Sequence, residues 1–184
     1  MTQKESGETM EKTAGGQERR AGAGAGGSGN TLQVVEFLLG REHFAIDLFD
    51  VKEVVEYTTI TKLPNTPSFI KGIIDLRGEI TTIIDLKERM NIAEASTQPE
   101  ESCRIIVLDE KNTKSKIGIM VDDVLSVSTF DIKDVDTKSA AEVGEDNWIL
   151  GIIKKKAKEK EKEVNELIIW IDIKQLLKDI DQHI

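Results

Sequence analysis

The sequence predicts a mainly β protein of two small barrels with a C-terminal helix, and three observations lead there. From Leu32 onward the chain breaks into short apolar runs separated by turn residues: LQVVEFLL, HFAIDL, KGIIDL, ITTIIDL, RIIVLD, KIGIMVDDV, WILGII and ELIIWIDI. Runs this close, with no long helices between them, specify antiparallel sheets or small barrels and not alternating βαβ units. The chain also echoes itself, since GII at 72–74 leading to IDLKERM at 84–90 returns as GII at 151–153 leading to IDIKQLL at 171–177. LFDVKEVV is echoed more weakly by MVDDVLSV, and two halves of similar plan follow. Finally, Ile173, Leu176, Leu177, Ile180 and Ile184 form one apolar stripe at helical spacing, against Lys174, Lys178 and Asp181.

The elements follow in order. Residues 1–30 contain no Val, Ile, Leu, Phe, Tyr or Trp and eight of the 14 glycines, so they are predicted to be a disordered Gly/Ala-rich arm ahead of a folded domain over 31–184. Gly22-Ala23-Gly24-Ala25-Gly26-Gly27 has the spacing of a dinucleotide loop. Such a loop works only between a strand and a helix, and no strand precedes this one; it reads as a flexible linker. Pro64 and Pro67 mark a connection, with one helical turn expected at Ser68 to Lys71. Arg77-Gly78-Glu79 has the form of a three-residue hairpin loop between two strands, Gly78 supplying a left-handed conformation. In the second half the hairpin is longer: KKKAKEKEKEVNE, after Ile153, has no apolar face and reads as a solvated excursion, or else as a lysine-rich patch for an acidic partner.

Composition removes several functions. The formal charge is −9, and the first 30 residues are balanced, so the acidic excess belongs to 31–184. An acidic body with eight aromatic residues is a poor match for nucleic acid, which needs clustered Lys and Arg or a stacking platform. One cysteine, Cys103, and two histidines, His43 and His183, permit neither an internal disulfide nor a Cys/His metal cluster, which fits a reducing cytosol. No apolar run reaches the roughly 18 residues of a membrane span, and the N-terminus has no signal-peptide core. No cofactor or metal is expected.

Asp75 and Asp85 stand ten residues apart in otherwise apolar runs. A catalytic pair would need a cleft and a further group to position substrate, and no histidine, cysteine or serine motif lies nearby. Asp85 before LKERM and Asp172 before IKQLL instead read as helix caps. Arg77 has two readings of equal weight: a guanidinium held out on a rigid rim for a partner, or a solvated turn residue in a surface ion pair.

The blocks VVEFLLGREHFAIDLFDVKEVVEY, ITKLPNTPSFIKGIIDLRGEITTIIDLK, RIIVLDE, KIGIMVDDVLSV and WILGII…LIIWIDIKQLL, in that order, resemble the chemotaxis coupling proteins, CheW. The middle block is the most specific, through Leu63-Pro64-Asn65, Gly72, Leu76-Arg77-Gly78 and Ile84-Asp85-Leu86. The resemblance implies two five-stranded SH3-like barrels packed on a shared hydrophobic core. It implies a non-enzymatic adaptor between the regulatory domain of the histidine kinase CheA and the cytoplasmic tips of methyl-accepting chemoreceptors. Such a protein is cytoplasmic and recruited to receptor clusters, without membrane insertion. Motif by motif, receptor contact is implied for Val51, Glu53, Gly72, Arg77, Val124 and Val127; no kinase-contact residue is assigned. Each has a plainer reading, the valines as core, Gly72 as a close backbone approach and Glu53 as an internal partner of Arg77. Asp75 stands where the family commonly has Asn, and Thr82 where it commonly has Pro. The alternatives are a CheW-like scaffold in a non-motility chemosensory pathway, a detached regulatory piece of the kinase, or a hydrolase using Asp75 and Asp85.

Overall fold

The computed structural model describes residues 30–92, 98–111, 115–138, 148–159 and 162–180. The predicted arm, apart from Asn30, and Ile184 of the helical stripe lie outside the described residues. The strands are β1 (Thr31–Leu39), β2 (Glu42–Asp47), β3 (Val51–Glu56), β4 (Ile70–Leu76), β5 (Glu79–Asp85), β6 (Arg104–Leu108), β7 (Ile117–Val121), β8 (Asp123–Asp131), β9 (Val135–Asp136), β10 (Ile149–Glu159) and β11 (Lys162–Ile171). Two short helices follow β5 and β11: α1 (Leu86–Arg89) and α2 (Ile173–Leu177).

The strands form two sheets, in the orders β8-β1-β2-β11-β10-β9 and β3-β6-β7-β5-β4. Setting β3, β4, β5, β6 and β7 against β8, β10, β11, β1 and β2 makes the two orders correspond strand for strand. The match extends to one parallel contact in each sheet, β5 with β7 and β11 with β2. The echo in the sequence is therefore real, but the two halves are not consecutive. The first two strands of the chain complete the sheet built by its C-terminal part. One sheet also carries a sixth strand, β9, pairing with β10 only at Ile152 and Ile153.

Alternation along the strands divides the core in three. On β1, Val35, Phe37 and Leu39 point into a cluster shared by both sheets, with Ile84, Ile106, Ile117, Ile119 and, from α2, Ile173, Leu176 and Leu177. The opposite face of β1 sends Leu32 and Val34 into a second cluster with Ala45, Ile153 and Ile168. The other sheet has its own cluster of Ile74, Ile83, Cys103, Ile105, Val107 and Met120. The core between the sheets is the one the resemblance implied, and each sheet adds a smaller cluster of its own. Ile180, the next residue of the predicted stripe, is also buried in the shared core, although α2 itself ends at Leu177.

Two local expectations change and a third gains detail. Ser68 to Lys71 is not helical: a turn closed by the Ile70 N–H on the Pro67 carbonyl leads straight into β4. The lysine-rich run is the solvated excursion expected, with no buried residue described in it, but it is a regular ribbon in which β10 and β11 pair in register from Lys154 with Leu167 out to Glu159 with Lys162. Glu166 across from Lys155 and Asn165 across from Lys156 offset the poor strand propensity of the run. The loop at Arg77 has two residues instead of three, since Leu76 pairs with Glu79.

Candidate functional site

Arg77 and Gly78 both have positive φ, 57° and 83°, the signature of a type I′ turn, whose twist matches that of the flanking strands. Gly78 takes this conformation without strain; Arg77 holds it at a cost of about 1 kcal/mol. Asp75 offsets part of that cost, its Oδ1 accepting the Gly78 N–H at 2.6 Å. The departure from Asn at Asp75 thus keeps an acceptor where the turn needs one.

The turn lifts the Arg77 side chain to 72 % exposure, and there it meets β3. Nη1 lies 3.2 Å from Glu53 Oε1 and Nη2 lies 2.5 Å from Glu53 Oε2, a bidentate pair that fixes the guanidinium plane. The internal-partner reading of Glu53 is what the geometry displays. Around the pair runs an ionic rim: Lys52 bonds Glu110 at 3.2 Å, and Lys116 bonds Glu79 and lies 3.5 Å from Glu110. The Lys116 hydrogen bond holds the Glu79 carboxyl below its usual range, and the same bond raises the Lys116 ammonium. Behind the rim, Leu76, Thr81, Val107 and Leu108 line a cavity of about 50 Å³. That holds a water or two and is far below the roughly 300 Å³ of an ordinary small-molecule site.

The other implied residues divide by burial. Val51 and Val124 are half-buried against the shared core. Gly72 is buried with φ 144°, and a Cβ there would lie 2.1 Å from the Thr61 carbonyl oxygen. That close approach lets Thr61 and Ile73 exchange two backbone hydrogen bonds of 2.9 Å. Val127 is 61 % exposed on β8, beside Leu125 at 42 %. The structure therefore brings Glu53 and Arg77 into contact, seats Val51 and Val124 on one core, and buries Gly72 within β4 against the Thr61 backbone.

Asp75 and Asp85 lie at opposite ends of the β4–β5 hairpin, each in a local bond of its own. Asp85 Oδ1 caps α1 by accepting the Glu88 N–H at 3.2 Å, and Asp172 Oδ1 caps α2 through the Gln175 N–H at 3.0 Å. Both caps agree with the sequence reading. Among the described residues no group of three His, Cys, Asp or Glu side chains is placed to hold a metal ion. None of the described helices is long and apolar enough to cross a membrane.

Sequence reasoning missed Val54, 41 % exposed beside Glu53, and the rim residues Lys52, Glu79, Glu110 and Lys116. The alternation in VKEVVE, which puts Lys52, Val54 and Glu56 on the face opposite Glu53, would have found the first. The rim joins four separate segments, and no local pattern reveals it.

The fold and site define a class: a double β-sheet module with one pseudo-repeated plan, a shared core and a charged hairpin rim in place of a catalytic cleft. Residues 33–181 match the model of the CheW-like domain, and the chain belongs to that family. The chemotaxis protein CheW of Klebsiella aerogenes is 40 % identical over 100 residues, 53 % of this chain and 58 % of that protein, so the aligned stretch spans under two thirds of the relative. CheW of Thermotoga maritima is 27 % identical over 149 residues, 81 % of this chain and 89 % of the relative. The crystal structure of the scaffolding protein TtCheW from Thermoanaerobacter tengcongensis superposes with a TM-score of 0.66 at 32 % identity, covering 83 % of this chain and 97 % of that one.

Proposed function

We propose that this chain is a non-catalytic chemotaxis adaptor that couples methyl-accepting chemoreceptors to the histidine kinase CheA, so that receptor state controls kinase autophosphorylation. The observation that carries the reading is Arg77, fixed by Glu53 on a rigid turn yet mostly exposed, in a chain whose family match covers 33–181. The receptor surface consists of Val51, Glu53, Arg77, Val124 and Val127, with Gly72 acting through the backbone approach it permits. A receptor tip would meet the Arg77 guanidinium and the exposed aliphatics of β8, an arginine and apolar mixture typical of binding hot spots. Coupling is then a free energy between two binding sites, one for the receptor and one for the regulatory domain of the kinase. The protein acts in the cytoplasm, recruited to receptor clusters at the inner face of the membrane.

The test is co-sedimentation with a receptor signalling fragment and the CheA regulatory domain of the same genome, comparing wild type with Arg77→Glu. Wild type should join both, and the variant only the kinase. If wild type joins neither, the family fold serves another purpose and the adaptor assignment is abandoned.

A further inference from the structure

The β10–β11 hairpin continues well past the sheet that supports it. Strand β9 pairs β10 only at Ile152 and Ile153, and β2 meets β11 only from Ile168 to Trp170. From Lys154 to Glu159, β10 has β11 on one side and, among the described residues, no strand on the other. A two-stranded ribbon alone in water is marginally stable, so its base needs an anchor. Lys155 Nζ supplies it, bonding Glu36 Oε2 at 2.8 Å; Glu166 lies 3.0 Å from His43 Nδ1 without a hydrogen bond to it. Lys155 and Glu166 thus face inward. Lys154 and Lys156, on the opposite face, are exposed, and neither has an ion-pair partner among the described residues.

The charge of the ribbon opposes that of the molecule. Residues 154–166 hold six lysines and four glutamates within a chain of net charge −9. Leu167, across from Lys154, is 56 % exposed. An open strand edge, a row of outward lysines and an exposed leucine together form a template for strand addition, in which main-chain bonds give affinity and side chains select charge.

We propose that the outer edge of β10 over residues 154–159 receives an extended acidic segment of a partner polypeptide as an added strand. Lys154 and Lys156 select the charge, and the Lys155–Glu36 anchor holds the ribbon ready. Edge lysines elsewhere serve to block pairing, and the two roles differ in outcome: a guarded edge rejects every strand, whereas this one accepts acidic strands. Self-pairing of two ribbons would set lysine against lysine, which disfavours a second copy as occupant. The inference is independent of the receptor and kinase reading.

A labelled decapeptide alternating Glu and Val, titrated against the full chain, tests it, with the Lys/Val peptide as control. The acidic peptide should bind and perturb the backbone amides of residues 154–159 in NMR spectra. Lys154→Glu with Lys156→Glu should weaken it by about tenfold or more, as should high salt. No binding, equal binding of both peptides, an unchanged affinity in the double variant, or perturbation confined to another edge would each overturn the proposal. So would sedimentation showing that a second copy of the chain occupies this edge.

Discussion

Lys87 Nζ lies 2.6 Å from Asp122 Oδ1, with the two side chains only 13 % and 10 % exposed, and the pair ties the helix after β5 to the residue just before β8. It therefore joins the two sheets. The same relationship recurs at the pseudo-equivalent positions, where Lys174 on α2 reaches Asp50, just before β3, at 2.8 Å. Each of the two helices thus sends one lysine to the residue just before a strand of the other sheet.

The two clasps differ in exposure, and so should their variants. Lys87→Met removes the short ion pair of a buried Asp122 while leaving its Gly40 N–H bond, so it should cost about 2–4 kcal/mol. Lys174 is 53 % exposed, and Lys174→Met should cost below about 1 kcal/mol. Urea unfolding of both variants decides; equal losses would mean that burial does not set the worth of these pairs.

Arg77 should show function held against local stability. Its φ of 57° suits Asn better than Arg, so Arg77→Asn relieves strain while losing one exposed ion pair. The folded state should be unchanged or stabilised by up to about 1 kcal/mol, with receptor binding lost. A melting temperature clearly below wild type would show that the ion pair matters more to the fold than its exposure allows.

Gly72 and Gly78 both have positive φ, but only one is crowded. A Cβ on Gly72 would meet the Thr61 carbonyl oxygen at 2.1 Å, whereas one on Gly78 would find nothing within 4 Å. Gly72→Ala should therefore cost about 3 kcal/mol or more, and Gly78→Ala about 1 kcal/mol. Any loss of receptor binding in Gly72→Ala should track unfolding measured by circular dichroism. A folded Gly72→Ala protein that fails to bind would instead put Gly72 in the contact itself.

Lys71 gives the protein an alkaline signature. Its ammonium lies 2.8 Å from Glu100 and 3.5 Å from Asp85. Burial alone would lower its pKa, but the hydrogen bond to Glu100 and the charge of Asp85 outweigh it and carry the pKa above 10.5. A raised folded-state value adds stability that is fully present below the unfolded pKa and lost as pH rises through the folded one. Wild type should exceed Lys71→Met by roughly 1 kcal/mol at neutral pH, and the gap should close above about pH 10.5. A constant gap across that range in urea titrations would exclude the ion pairs as its source.

The sequence carried the local rules and lost the long-range ones. Alternation in LQVVEFLL and the caps at Asp85 and Asp172 were readable because each depends on neighbours a few residues away. The pairing of β1 with β8 was not, since Val35 and Val127 are joined only by the closed fold. Arg77 shows the same limit at short range. A non-glycine residue with positive φ is uncommon, so residue type favoured a three-residue loop until the pairing of Leu76 with Glu79 imposed the shorter one.

Glu36 is the clearest case of a residue the sequence hides, and it carries the last prediction. It is fully buried on the face of β1 that bears Leu32 and Val34, and Lys155 reaches it from β10 with bonds of 3.1 and 2.8 Å to its two oxygens. Lys155 looks, in KKKAKEKEKE, no different from its neighbours. Only the parity of β10 turns it inward and leaves Lys154 and Lys156 outside. Lys155→Ala strands a carboxylate in an apolar setting and should cost about 2–4 kcal/mol, against less than about 0.5 kcal/mol for Lys154→Ala or Lys156→Ala. Lys155→Ala with Glu36→Leu should recover most of the loss, because replacing both partners by apolar groups removes the unpaired charge. Urea midpoints for the four variants test the register itself: if all three single lysine variants behave alike, β10 does not place Lys155 inside.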